Sequence, residues 1–202
     1  MQHNDFAIEL ENLTHRFANG VKGVDNVSLS ICQGEFVIMA GPNGSGKTTL
    51  LRHLNGLVMP SEGIVRVNGV LVKENLLRAR RMVGMVFQDA DSQIVGETVR
   101  EDVAFGPENL GLDTSAVDRR THWALSKVGL LPMAETSPHL LSGGEKRRLA
   151  VAGVLSMQPD IILFDEPFSN LDFPGTCQVV NQMKVLKEDA HTIVVKIGRA
   201  HV

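Results

Sequence analysis

The sequence predicts an α/β fold, a mostly parallel buried sheet joined to an antiparallel β-layer, on three observations. The runs Glu35 to Ala40 and Asp160 to Phe164 are largely apolar without alternation, the pattern of strands buried on both faces. Asn68-Gly69 sits between Ile64–Val67 and Val70–Val72, the signal of a two-residue hairpin with a type I′ turn. From residue 115 onward, helical patterns alternate with β-branched runs, as in α/β domains.

Each element follows in order. Phe6 to Leu10 and Val27 to Ile31 read as strands of the antiparallel layer. Glu35 to Ala40 is a strand that feeds a glycine loop, and Lys47 to Leu54 is the helix behind that loop. Met82 to Phe87 is the next strand. Ser115 to Val128 and Glu145 to Ser156 read as helices, and Thr176 to Leu186 as a third. Thr192 to Val195 closes the series as a β-branched strand.

Composition narrows the function classes. A net charge of −3 supplies no basic field for nucleic acid, and none is expected as a partner. Cys32 and Cys177 have no metal-ligand or redox spacing and read as reduced thiols. The seven histidines are scattered, none at ligand spacing from another. The polar Met1-Gln2-His3-Asn4-Asp5 does not read as a signal peptide. No apolar run is long enough to span a bilayer, so a membrane role has to come through partners.

Gly41-Pro42-Asn43-Gly44-Ser45-Gly46-Lys47-Thr48 matches the phosphate-loop pattern in full. Its glycines allow several backbone N–H groups to aim at one point. The helix behind adds its positive end, which favours polyphosphate. Lys47 reaches the β- and γ-phosphates in such a loop, and the Thr48 hydroxyl is a Mg²⁺ ligand. A nucleoside triphosphate with Mg²⁺ is therefore the expected ligand pair.

Such a loop needs a carboxylate for the metal. Ile161-Ile162-Leu163-Phe164-Asp165 is an apolar strand ending in an aspartate at the carboxyl edge, where open α/β sheets bind ligands. Asp165 is the expected metal carboxylate. Glu166 beside it is the expected general base on the attacking water. A second helix start, Leu141-Ser142-Gly143-Gly144-Glu145, offers either another anion site or an ordinary cap by Ser142. Two phosphate-binding helix starts with one loop lysine suggest a dimer in which each subunit's phosphate loop faces the other's Ser-Gly-Gly segment.

Phosphate loop, Gln88 after a strand, Leu-Ser-Gly-Gly-Glu, strand-Asp-Glu and Ser169-Asn170-Leu171-Asp172 stand in this order. In that order they resemble the ATP-binding cassette family over nearly the whole chain. The resemblance implies a P-loop NTPase core with a mostly parallel sheet, an antiparallel β subdomain and a helical signature subdomain at about 89–157, within a nucleotide-binding domain over 1–195. It implies nucleotide contacts from Gly41 through Thr48 and from Thr49. Phe17 is implied as the aromatic residue stacked on adenine, with a core phenylalanine as the other reading. Gln88 is implied as a sensor of Mg²⁺ and the attacking water, acting with Lys47 and Glu166 in catalysis. Ser142, Gly143 and Gly144 are implied to contact the γ-phosphate held by the opposite subunit, and Asp172 to lie in the loop that communicates across the dimer.

Residues 86–94, Val-Phe-Gln-Asp-Ala-Asp-Ser-Gln-Ile, and 101–110, Glu-Asp-Val-Ala-Phe-Gly-Pro-Glu-Asn-Leu, resemble the energy-coupling-factor and cobalt/nickel importer ATPases. That resemblance implies an ATPase subunit peripheral to the cytoplasmic face of the membrane. Its partners would be a second ATPase subunit in a head-to-tail homo- or heterodimer, a transmembrane scaffold protein and a substrate-binding membrane protein. The cargo would be a vitamin or a transition-metal ion.

The end of the chain departs from the family. A histidine that contacts the γ-phosphate is expected about three residues after the last apolar run, but Gly198 occupies that position and His201 is displaced from it. Residues 196–202, Lys-Ile-Gly-Arg-Ala-His-Val, coincide with one translated frame of a common sequencing adapter and read as a non-native tail on a domain incomplete at its C-terminus. The absent histidine makes a nucleotide-binding module without turnover one alternative. A generic cassette ATPase of another transporter is a second, and a soluble cassette acting on nucleic acid or ribosomes a third. The third is disfavoured by the acidic charge and by the absence of heptads between the phosphate loop and the signature.

Overall fold

The structure is a computed structural model that describes residues 5–169 and 171–198. Contacts divide the chain into two units, one formed by Met1–Met85, Asp160–Pro167 and Met183–Val202, the other by Val86–Pro159 and Phe168–Gln182.

The first unit holds two sheets. Strands β1 (Phe6–Arg16), β2 (Lys22–Cys32), β4 (Glu62–Val67) and β5 (Val70–Leu71) form an antiparallel sheet in the order β2-β1-β4-β5. β1 pairs on both sides, Leu10 with Leu29 of β2 and with Val65 of β4. Asn68 and Gly69 turn β4 into β5, and both have positive φ, 45° and 73°, as the predicted turn type requires. β1 and β2 run further than the alternation suggests. Asn12 (φ 49°) and Asn26 (φ 51°) adopt left-handed backbone where the pairing register shifts, so the strands continue while their apolar period breaks.

The second sheet has the order β3-β8-β7-β6, with β3 at Phe36–Met39, β8 at Thr192–Lys196, β7 at Ile161–Asp165 and β6 at Val83–Val86. β8 lies parallel to β3 and to β7. Every residue of β7 and β8 is buried, which explains their unbroken apolar sequence. Each fully buried Ile, Leu or Phe there contributes roughly 1.5–3 kcal/mol. Helix α1 (Lys47–Leu54) follows β3 and buries Leu51 and Leu54. Helix α2 (Leu76–Met82), capped by Asn75 on the Arg78 N–H, leads into β6. The predicted strand from Met82 therefore starts one residue later and ends at Val86.

The second unit is built on three mutually packed helices, α3 (Val99–Asn109), α4 (Thr114–Lys127) and α5 (Gly143–Ser156). α3 opens with a capping box between Thr98 and Glu101, and Asp113 caps α4 on the Ala116 N–H. Buried Asp102 accepts the N–H groups of Val95 (2.7 Å) and Gly96 (3.0 Å) through Oδ1 and so fixes the loop before α3. Helix α6 (Phe173–Glu188) contributes residues to both units.

Candidate nucleotide site

The loop between β3 and α1 carries the phosphate-binding chemistry. Gly41, Gly44 and Gly46 all have positive φ. At Gly46 (φ 84°) a Cβ would lie 2.0 Å from the Gly23 carbonyl oxygen, so only glycine fits. No side chain caps α1 at that residue, which leaves its positive end to a ligand. Lys47 is 8% exposed, and its ammonium donates to the Gly41 and Pro42 carbonyls at 2.8 and 2.7 Å and to Ser45 Oγ at 3.4 Å. The loop thus holds its own cation poised over the glycine turn. Beside it lies a cavity of about 540 Å³, lined among others by Lys22, Gly23, Ser45, Gly46 and Lys47. Thr48 and Thr49 occupy the first turn of α1.

Phe17 is 44% exposed and is not a core residue. Its ring lies against Gly23, where a Cβ would come within 2.6 Å of Phe17 Cε2. The missing side chain at 23 lets the ring lie beside a cavity-lining residue. His15 meets Phe17 edge-on at 4.8 Å between centroids, and His53 meets His15 at 5.0 Å. Burial lowers the pKa of His53, outweighing the Val58 carbonyl contact that raises it.

Asp165 closes β7 and is 6% exposed. Glu166 follows in left-handed backbone, φ 50°, with its N–H donating to the Lys196 carbonyl at 3.0 Å. Parallel pairing sets Asp165 opposite Lys196. The Lys196 ammonium lies 2.7 Å from Asp165 Oδ1 and 2.8 Å from Glu166 Oε1. Burial alone lowers the Lys196 pKa, but the hydrogen bonds and charges of the two carboxylates outweigh it and the net shift is upward. A Cβ at Gly198 would stand 3.3 Å from Glu166 Oε2. Position 198 therefore lies beside the Glu166 carboxylate. His201 lies outside the described residues.

The other predicted residues belong to the second unit. Ser142 caps α5 in a capping box: its N–H and Oγ donate to Glu145 Oε2 at 2.8 and 2.7 Å, and the Glu145 N–H returns to Ser142 Oγ. The Ser142 side-chain and backbone contacts, with Arg148 adding less, hold the Glu145 pKa below the usual range against a small desolvation effect. A Cβ at Gly143 would meet open space, and one at Gly144 only Gln178 at 3.8 Å, so the backbone of this turn is approachable. Gln88 is exposed just after β6. Asp172 Oδ1 accepts the Gly175 N–H at 2.9 Å and starts α6. Arg147 is a residue that motif reading passes over. It donates to the carbonyls of Ser169 (3.1 Å) and Gln88 (3.4 Å) and so ties α5 to the segments that carry Gln88 and Asp172. The run Lys146-Arg147-Arg148 gave no sequence signal of which cation makes these contacts.

Among the described residues no group of three or more His, Cys, Asp or Glu side chains could hold a metal by itself, and no helix is long and apolar enough to cross a membrane.

Residues 24–169 match the ABC transporter family. The energy-coupling factor transporter ATP-binding protein EcfA1 of Clostridium novyi (strain NT) is 46% identical over 191 residues, covering 92% of this chain and 68% of that protein. The cobalt import ATP-binding protein CbiO of Rhodobacter capsulatus is 43% identical over 187 residues, covering 91% of this chain and 67% of that protein. In structure, cbiO1 from Clostridium perfringens, described as part of the ABC transporter complex cbiONQ, superposes with a TM-score of 0.89 at 30% identity, covering 97% of this chain and 80% of that one. The dimeric ATP-binding cassette MJ0796, in a post-hydrolysis state with ADP and Pi, superposes with a TM-score of 0.82 at 32% identity, covering 94% and 87%. Sequence motifs, the glycine loop over Lys47 and these likenesses agree: the chain belongs to the ABC transporter family, as an ATP-binding ATPase domain.

Proposed function

We propose that this chain binds ATP in the Gly41–Thr49 loop and, paired head-to-tail with a second ATPase subunit, hydrolyses it to energise a membrane importer of energy-coupling-factor type. The observation that carries the reading is Lys47, buried and held by its own loop at 2.7–2.8 Å beside a cavity of nucleotide size. On binding, the ammonium exchanges two carbonyl partners for phosphate oxygens, and the uncapped start of α1 adds backbone N–H groups. Phe17 stacks on the base. Glu166 orients the attacking water, and the Ser142–Gly144 turn of the partner subunit completes the γ-phosphate shell. Gln88 and Asp172 carry the state of the site to the membrane partner and across the dimer. The scaffold and substrate-binding membrane proteins, the peripheral location on the cytoplasmic face and the vitamin or transition-metal cargo rest on the likeness to the coupling-factor and cobalt-import subunits.

Mg²⁺ is the cation that ATP brings to such a site, with Thr48, Gln88 and Asp165 as its proposed ligands. Thr48 and Gln88 offer oxygen donors of the right class. Asp165 offers its Oδ2, since Lys196 bonds only its Oδ1.

The test is titration of a ribose-labelled fluorescent ATP analogue, with Lys47→Met as control. Saturable binding that the substitution abolishes supports the reading. Equal binding by both proteins, or none by a folded parent chain, refutes it.

A further inference from the structure

We infer that His15 is a positioning residue for the base of the nucleotide: its ring, backed by His53, holds Phe17 in place beside the cavity before ATP arrives. The inference rests on the ATP reading above, with Phe17 as the base platform, and deepens it.

Phe17 lies one residue past the end of β1 and is 44% exposed, so core packing does not fix its ring. Its backbone is set: its N–H donates to the Val21 carbonyl at 2.9 Å, and its carbonyl accepts the Gly20 N–H at 2.8 Å. Two contacts then set the ring. The first is Gly23, where a Cβ would come within 2.6 Å of Phe17 Cε2. The second is His15, edge-on with 4.8 Å between centroids and 82° between planes, a geometry in which aromatic rings attract.

His15 is itself braced. It meets His53 at 5.0 Å and 62°. His53 is fully buried and belongs to α1, the helix that begins with Lys47. The Val58 carbonyl accepts its Nδ1–H at 2.8 Å, and burial lowers its pKa, so the ring is neutral and held in one tautomer. The helix behind the phosphate loop and the base platform thus share one support through His53 and His15. His15 Nδ1 is buried with no hydrogen-bond partner among the described residues. An unmatched buried polar atom costs free energy, so His15 contributes through its flat ring and not through this nitrogen.

Fixing a side chain before the ligand arrives removes an ordering cost from binding. The saving falls on the base alone, because Lys47 is held by Gly41, Pro42 and Ser45, away from the Phe17 ring. His15 therefore sets how much better the chain binds ATP than a bare polyphosphate.

The experiment compares the full chain with His15→Ala, His15→Phe, Phe17→Ala and the double variant His15→Ala/Phe17→Ala. Unlabelled ATP and inorganic tripolyphosphate each displace the fluorescent ATP analogue, and melts report folding. His15→Ala should weaken ATP by about three- to tenfold, the cost of ordering one side chain on binding, and leave tripolyphosphate within about twofold. His15→Phe, which keeps a flat ring, should hold both ligands within about twofold of the parent. The double variant should lose less ATP affinity than the two single losses combined, since both act through one ring. Equal losses for ATP and tripolyphosphate, no loss for ATP, or independent losses at 15 and 17 overturn the inference while leaving ATP binding in place. His15→Phe decides if His15→Ala fails to melt cooperatively: a folded His15→Phe chain that loses ATP but not tripolyphosphate also overturns it. A folded parent that binds neither ligand overturns the ATP reading itself.

Discussion

Lys47→Met isolates the charge at the centre of the phosphate loop while keeping its alkyl stem. In the free chain the ammonium donates to two carbonyls at 2.8 and 2.7 Å, and nucleotide binding exchanges those contacts for phosphate. Two unit charges ~3 Å apart at an effective dielectric of ~20 attract by ~5.5 kcal/mol. Giving up two charge-assisted bonds to carbonyls that water then satisfies costs back roughly 2–3 kcal/mol. The difference, about 3 kcal/mol, corresponds to a loss of affinity of roughly 150-fold. The assay is equilibrium titration of the fluorescent ATP analogue at fixed ionic strength, with thermal melts to show that both proteins fold. An affinity for Lys47→Met within about threefold of the parent's would mean that the exchange is energetically neutral, against the Coulomb term above, and would refute the assignment of this loop.

Four further outcomes follow from the geometry. Glu166→Gln should cut turnover by about 10²–10³, the scale of losing a positioned base, and accumulate a nucleotide-loaded dimer on size exclusion; unchanged turnover removes the base assignment. Asp102→Ala strands the N–H groups of Val95 and Gly96 and should destabilise the helical unit by about 2–3 kcal/mol in chemical denaturation. Glu145 has a depressed folded pKa, so its contribution to stability is present above the unfolded pKa and lost as pH falls through the folded one. Lys196 is shifted the other way, upward, because the bonds and charges of Asp165 and Glu166 outweigh its burial, so its contribution is full below its unfolded pKa and is lost on raising the pH through its higher folded pKa. Melting temperature against pH should therefore fall at both ends, and Glu145→Gln and Lys196→Met should each flatten one limb. Gly198→His places an imidazole beside Glu166 and should raise ATP turnover by about 10²; no rise would mean that position 198 does not serve the γ-phosphate.

How much of this was legible in the sequence depends on whether a feature is carried by contiguous residues. The phosphate loop, the strand into Asp165 and the Asn68-Gly69 hairpin each specify their geometry within a few residues, and the structure has them where the sequence places them. Helix α3 escaped the reading although Thr98 and Glu101 spell a capping box, because Pro107 and Gly106 argue locally against a helix that its packing on α4 and α5 sustains. Helix α2 escaped because Leu76-Leu-Arg-Ala-Arg-Arg-Met82 buries only Ala79 and so shows no apolar period. The left-handed Asn12 and Asn26 hid the second half of β1 and the first half of β2.

Lys196 was hidden for a deeper reason. As a letter after Thr192-Ile-Val-Val195 it reads as the first polar residue past a strand, a place where lysine is commonplace. Only the parallel register of β8 against β7 reveals that residue 196 is still inside the sheet and opposite Asp165. The same register carries the chain on to Gly198, where a Cβ would stand 3.3 Å from Glu166 Oε2, so two positions after the apolar run lie against the Asp165–Glu166 carboxylates although neither shows it as a letter in the sequence.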